Sequence, residues 1–240
     1  MSKLLEKIGF KGLNNNQLKI IAMISMAIDH IGLMFFPSVR ILRYLGRIAF
    51  PIYAYMIAEG CRYTKNRKKY LSMMAAMALV FQIVYLVFMG SFYQAILVNF
   101  SLSIATIFAI DSFIKNKKAI NRILMSLIVF GVLFIHIGFP KIFSSYGFKI
   151  DYNIWGLLLP VIVYFMPNKW WRALGVAATL VIMTLVSGKT MQWWSLMTLP
   201  MLLLYNEERG SKKMKYLFYI FYPLHMVIIY AVMYLLSYIR

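Results

Sequence analysis

Apolar residues run through this chain in long blocks separated by short clusters of charged, Pro, Gly or Asn positions. Nine blocks can be marked, at about 18–36, 44–61, 70–89, 95–114, 120–138, 153–166, 170–187, 191–205 and 216–238. A helix needs about 20 apolar residues to cross the hydrocarbon layer, and most of these blocks have that length. The pattern therefore predicts an all-α, polytopic membrane bundle of about nine transmembrane helices. The sixth and eighth blocks are short enough to be tilted differently, re-entrant or merged. No stretch reads as a separate soluble domain and no internal repeat stands out, so a single transmembrane domain is expected over 1–240. Within it, residues 1–17 form a cytoplasmic N-terminal segment whose first part sets Leu4, Leu5, Ile8 and Phe10 against Lys3, Lys7 and Lys11, an interfacial amphipathic pattern. It lacks a small-residue cleavage site and is not read as a signal peptide.

Composition agrees with the blocks: 62% of residues are hydrophobic and 14% charged, too few polar side chains to cover a water-soluble surface. The net charge of +19 sharpens the topology. With the N-terminus cytoplasmic, the inner segments carry Lys3, Lys7, Lys11 and Lys19; Arg62, Lys65, Arg67, Lys68 and Lys69; Lys115, Lys117, Lys118 and Arg122; Lys169 and Arg172; and Arg209, Lys212, Lys213 and Lys215. Those are 19 of the 26 Lys and Arg residues, the asymmetry expected of a multi-pass protein of the cell membrane with its N-terminus inside. The basic balance is thus topological, with anionic lipid as its physical companion, and nucleic acid is not expected as a partner. Cys61 has no second cysteine to pair with, and no CxxC or HxxxH spacing suggests a metal site. The Trp170-Trp171 and Trp193-Trp194 pairs fall at block ends, where aromatic-belt anchoring accounts for them.

Against this apolar background the polar positions inside the blocks carry the chemistry. An acidic side chain at the centre of a span costs roughly 2.5 to 3.5 kcal/mol on insertion scales, so Asp29 and Glu59 both need partners. Arg47, His30 and His225 are the candidates, with Gln82 and Asn99 able to add neutral hydrogen bonds. Neighbours on a helix point roughly 100° apart, so Asp29 cannot orient the ring of His30, and each must look to another helix. Arg47, Pro51, Tyr55 and Glu59 form a polar stripe about 18 Å long on the second helix, with a kink expected at Pro51. On the loop that follows, Arg62, Lys65, Arg67, Lys68 and Lys69 place five cations where a soluble cofactor's phosphates can be held by charge. His136, near the outer end of the fifth block, reads as interfacial.

Three strings in the first third of the chain resemble the TraX family of integral membrane proteins. They are Leu18-Lys19 through Asp29-His30-Ile31-Gly32, then Leu45-Gly46-Arg47-Ile48-Ala49-Phe50-Pro51-Ile52 running on to Glu59-Gly60, and the loop from Arg62 to Tyr70. Near the other end, Phe221-Tyr222-Pro223-Leu224-His225 resembles the final-helix motif of related membrane acyltransferases. The resemblance implies a bacterial membrane acetyltransferase moving an acetyl group from cytosolic acetyl-CoA to an acceptor at or across the membrane: a protein N-terminus, a glycan or a lipid.

Acyl transfer needs a base for the acceptor proton and positive groups for the developing oxyanion. On that chemistry His30, Asp29, Arg47, Glu59 and His225 are the catalytic candidates, with His30 the base. Arg62, Lys65, Arg67, Lys68 and Lys69 are the candidates for holding acetyl-CoA, and Asn99, Tyr55 and Gln82 for the acceptor. Two other functions fit the same residues: a proton-coupled small-molecule transporter using Asp29 and Glu59 as a relay, and a non-catalytic membrane assembly factor whose polar residues hold the bundle together. Paired halves with matching broken helices, which would favour a transporter, are not visible.

Overall fold

In the computed structural model of the chain, residues 11–211 and 214–239 are described. The amphipathic reading of the first ten residues falls outside them. All nine apolar blocks fold as helix. Among the described residues six helices are long and apolar enough to cross a membrane: Asn15–Met34, Arg67–Val87, Ile96–Lys115, Ala119–Ile142, Lys169–Ser187 and Leu217–Leu236. The protein is all-α, with one two-residue parallel strand pair, β1 (Tyr93–Gln94) with β2 (Lys149–Ile150). By contacts the chain divides into two compact units, 1–53 with 168–240 and 54–167.

The first unit begins with α1 (Asn15–Met34), opened by a reciprocal cap in which Asn14 and Gln17 each accept from the other's backbone N–H. The segment before it is tied down: Leu13 N–H donates to Leu204 O at 2.8 Å and Asn15 N–H to Glu208 O at 2.8 Å. Then comes a departure from the expected single helix over 44–61. The chain forms a seven-residue helix, α2 (Arg40–Gly46), turns at Arg47 and Ile48, and restarts as α3 (Ala49–Tyr63). Pro51 is the physical reason: it has no N–H to offer, and its ring clashes with the carbonyl four residues earlier, that of Arg47. The polar stripe from Arg47 to Glu59 is therefore not one continuous helical face, because Arg47 lies in the turn.

Helix α2 lies back on α1, and two glycines set how close it comes. A Cβ on Gly32 would sit 2.6 Å from Leu42 Cβ, and one on Gly46 would overlap the Asp29 side chain. Helix α11 (Lys215–Ile239) packs against α1, and α9 (Lys169–Ser187) against a 3-10 run at Thr190–Met197. The eighth block thus becomes that 3-10 run followed by the short α10 (Thr198–Leu203). Pro200 prevents an α-helix from continuing through its preceding turn.

The second unit is organised around α5 (Ile96–Lys115), which packs against α4 (Arg67–Met89), α6 (Ala119–Leu133) and α8 (Asn153–Phe165). Its buried face is partly polar. Ser103 is fully buried and its hydroxyl donates within 3.0 Å of both Asn99 O and Leu157 O, a hydroxyl bond of the kind that joins helices where water is absent. Helix α6 continues through one π turn, Phe134–Gly138, into α7 (Phe139–Ile142), four residues beyond the expected end. Pro140, which has no N–H to offer, lies just past the π turn, in the first turn of α7.

Candidate functional site

In the first unit Asp29 and His30 point to different partners, as their 100° separation requires. The Asp29 carboxylate accepts from two arginines: Arg43 Nη1 at 2.6 Å and Arg47 Nη2 at 3.0 and 3.2 Å. Arg43 also donates to the Asp29 backbone carbonyl at 3.1 Å, and Arg47 Nε to the Arg43 carbonyl at 3.4 Å. The three side chains are 11 to 19% exposed, so the pairing is partly desolvated and more than a surface ion pair.

His30 meets His225, its Nδ1 lying 3.1 Å from His225 Nε2 with ring centroids 5.1 Å apart. The second ring is fixed from behind, since His225 Nδ1 lies 2.8 Å from Phe221 O and a carbonyl can only accept. In a neutral His225 the Nε2 is therefore the acceptor, and His30 Nδ1–H donates to it. The Met26 backbone, one turn earlier, also bonds to the His30 ring; with Nδ1 as the donor, the lone pair lies on Nε2. Phe221 stacks on His225 at 4.8 Å and Tyr222 meets it edge-on at 5.8 Å, which holds the ring plane. Arg43 and Arg47 are also close enough to act electrostatically on His30. The carboxylate, two guanidinium groups and two imidazoles thus form one cluster.

Arg43 is the residue missed in the sequence, because it falls in the interval between the first two apolar blocks. The signal was present in the spacing: Arg40, Arg43 and Arg47 recur at helical intervals and share one side of α2 and its following turn. Of the partners expected for Asp29, Arg47 pairs with it, whereas His225 pairs with His30.

The second unit holds the other expected residues. Glu59, 1% exposed, pairs with Arg62 one turn on, and Arg62 caps α8 by donating to Tyr164 O at 2.7 Å and Val163 O at 3.2 Å. Arg67 pairs with Asp111, which Lys115 reaches at 2.9 Å. Two of the five loop cations are thus engaged with carboxylates, while Lys65, Lys68 and Lys69 are exposed. Tyr55 is fully buried.

Asn99, also fully buried, directs its amide N–H groups to Asp151 O at 2.7 Å and Asn153 O at 3.0 Å, and its oxygen to His136 Nε2 at 2.7 Å. Those bonds steady a turn in which Tyr152 and Asn153 both adopt positive φ, 57° and 47°. Gln82 Nε2 donates to Tyr93 O at 3.0 Å and its oxygen accepts from Ala95 N at 3.4 Å, holding the approach to α5. Tyr93 donates its hydroxyl to Asp151 Oδ1 at 2.7 Å, and burial together with that carboxylate pushes the phenol pKa up. Half-buried His136 thus joins Asn99 in a hydrogen-bond network, and Asn99 and Gln82 both have structural partners. Among the described residues no group of three or more His, Cys, Asp or Glu side chains is arranged to hold a metal.

Comparison with known proteins gives this architecture a context. The chain is 24% identical over 241 residues to a probable fimbrial assembly protein FimC, serogroup H1, of Dichelobacter nodosus, covering 89% of this chain and 93% of that protein. A 38-residue stretch is 50% identical to an uncharacterised protein of Rickettsia prowazekii (strain Madrid E), covering 16% of this chain and 15% of the other. No solved structure matches. The model of the family described as TraX protein matches residues 14–233, which takes in five of the six long apolar helices and most of the sixth, and the chain is accordingly a multi-pass membrane protein belonging to the TraX family.

Proposed function

We propose that this protein is an integral membrane acetyltransferase in which His30 is the general base. The observation that carries the reading is the His30–His225 pair, 3.1 Å apart with His225 held by the Phe221 carbonyl; with His30 donating from Nδ1, the basic lone pair is on Nε2. In this mechanism His30 Nε2 takes the proton of an acceptor amine or hydroxyl as that atom attacks the acyl carbonyl. His225 Nε2 accepts from His30 Nδ1–H throughout and stabilises the imidazolium that forms. Arg43 and Arg47, held by Asp29, supply the positive field in which an oxyanion develops. The imidazolium then returns its proton to the departing thiolate, and the neutral pair is restored.

Acetyl-CoA is the acyl donor of this proposal and supplies the thioester. Lys65, Lys68 and Lys69 would attract its phosphates, with Arg62 and Arg67 already engaged by Glu59 and Asp111. The membrane is the cell membrane, with the N-terminus inside. The acceptor is a protein N-terminus, a glycan or a lipid. The fimbrial assembly relative supports a second reading, a membrane assembly factor without catalysis, in which the same cluster only holds α1, α2 and α11 together.

The experiment compares purified protein in detergent, wild type and His30→Gln, for acetyl-CoA binding and for acetyl transfer. Transfer lost in His30→Gln with binding within a few-fold of wild type is the expected result. Cofactor binding absent at millimolar acetyl-CoA would retire the enzyme, and full transfer in the variant would remove His30. Mass spectrometry of envelope material from cells with and without the gene should find an increment of about 42 Da, one acetyl group, lost from the acceptor.

A further inference from the structure

The hydrogen bonds around Asn99 do not balance with a neutral His136. The fully buried Asn99 side chain donates from Nδ2 to two backbone carbonyls, Asp151 O at 2.7 Å and Asn153 O at 3.0 Å. Carbonyls only accept, so the amide cannot be turned over without setting its oxygen against both of them. That oxygen lies 2.7 Å from His136 Nε2. The other ring nitrogen, Nδ1, lies 2.8 Å from Val132 O, a second partner that only accepts. A neutral imidazole has one N–H and one lone pair, so one of the two oxygens would face the lone pair, whereas an imidazolium donates to both. His225 differs in this respect, because its second nitrogen meets another imidazole, which can donate.

Half-burial opposes a charge on this ring, and two acceptors at hydrogen-bond distance favour it. The charged or titratable side chains near it in the fold are Tyr93 on β1, Asp151 and Tyr152 in the turn, and the exposed Lys141 on α7 and Lys149 on β2. Asp151 is the acid among them, and its carboxylate accepts from Tyr93 at 2.7 Å. On α5 itself, Asp111 and Lys115 lie three turns or more beyond Asn99, about 18 Å at the helical rise. Asn99 has little freedom to move away, since a Cβ on Gly156 would already sit 2.5 Å from its Nδ2. The turn it holds contains Tyr152 and Asn153 at positive φ, a conformation that side-chain-bearing residues adopt only when their surroundings fix it.

We infer that His136 is a proton-binding site, and that the proton it takes fastens Asn99 and, through it, the turn from Asp151 to Asn153. When the proton leaves, His136 Nε2 and Asn99 Oδ1 become two acceptors facing one another, and the latch opens. The bonded network includes the proton, so its contribution to stability is present at acid pH and is lost as the pH rises and the proton departs. The acyl-transfer mechanism proposed above uses neither residue, so the latch stands or falls separately from it.

The test follows the proton and the turn together. Full-length protein in detergent, labelled with nitrogen-15 at its three histidines, is titrated by NMR from about pH 8 to about pH 5.5, across the imidazole range. One ring should gain a second N–H, and its signals should be absent from His136→Gln. Hydrogen exchange over residues 149–156, corrected for the intrinsic effect of pH, should be at least about threefold slower at the acid end in wild type and independent of pH in His136→Gln. The variant keeps His30 and His225, so the difference belongs to position 136. In wild type alone, the exchange change and the protonation of that ring should share one midpoint, a comparison that needs no variant to fold. Exchange that ignores pH in wild type, midpoints that differ, or the same pH effect in His136→Gln would overturn the inference.

Discussion

Removing the carboxylate of Asp29 leaves Arg43 and Arg47 beside one another in a setting where each is largely out of water. Asp29→Asn keeps the shape and removes the charge, so it isolates the electrostatic part of the cluster. Breaking a buried ion pair from one side costs about 3–5 kcal/mol, and the partial exposure here puts the expected loss near the low end, about 3 kcal/mol. Thermal unfolding in detergent measures it, and an unchanged midpoint would show that the pairing contributes little. His225 reaches His30 through one ring contact, so its substitution separates two roles. His225→Asn should lower the transfer rate by about tenfold to a hundredfold if the second ring steadies the charged first one, a part of the roughly 10²–10⁴ that acid–base catalysis supplies. A purely structural His225 would instead lower stability and leave the rate per folded molecule unchanged.

At the level of elements, the contact between α1 and α2 depends on the absence of a side chain. Gly46→Ala places a methyl group where the Asp29 side chain lies, so either α2 lifts from α1 or the carboxylate leaves its arginines. The variant should lose stability by about 1–3 kcal/mol, the usual range for overpacking, and any activity with it. Gly131→Ala, which meets nothing within 4 Å, should be silent in the same assay. Asn99→Ala tests the second unit. It strips partners from two backbone carbonyls and from His136, each buried group left unsatisfied costing about 1–3 kcal/mol, so a loss of about 2–4 kcal/mol is expected on thermal unfolding.

These contacts explain which parts of the molecule were legible in the sequence. Span length is a local property, and so the helices Asn15–Met34, Ile96–Lys115 and Lys169–Ser187 lie within a few residues of their expected bounds. The break at Arg47 was signalled by Pro51, although hydropathy alone draws one helix through it. Asp29, His30, Arg47 and His225 stood out because ionisable groups are rare in apolar blocks. Their pairing did not: His30 and His225 are 195 positions apart, and whether Asp29 takes Arg43 or His225 depends on how α2 folds back over α1. A buried asparagine such as Asn99 looks the same in sequence whether it faces a ligand or holds a turn.

For the whole molecule the open quantity is how many times the chain crosses, and the three shorter segments decide it. Helix α8 has 13 residues and α3 has 15, while the eighth block is a 3-10 run joined to a six-residue helix. At 1.5 Å per residue α8 spans about 20 Å, short of a hydrocarbon core of about 30 Å. Nine crossings put residue 168 inside and residue 189 outside. If neither α8 nor the eighth block crosses, those two positions exchange sides, while residues 65, 117 and 209 keep theirs. The positive-inside rule favours nine, since Lys169 and Arg172 then lie in the cytoplasm. Cys61 is the chain's one cysteine and is buried, so Cys61→Ala gives a background for single cysteines at 65, 117, 168, 189 and 209. Labelling of intact cells with an impermeant maleimide should mark position 189 and spare the other four. Labelling at 168 with protection at 189 would establish that the short segments dip into the membrane and return.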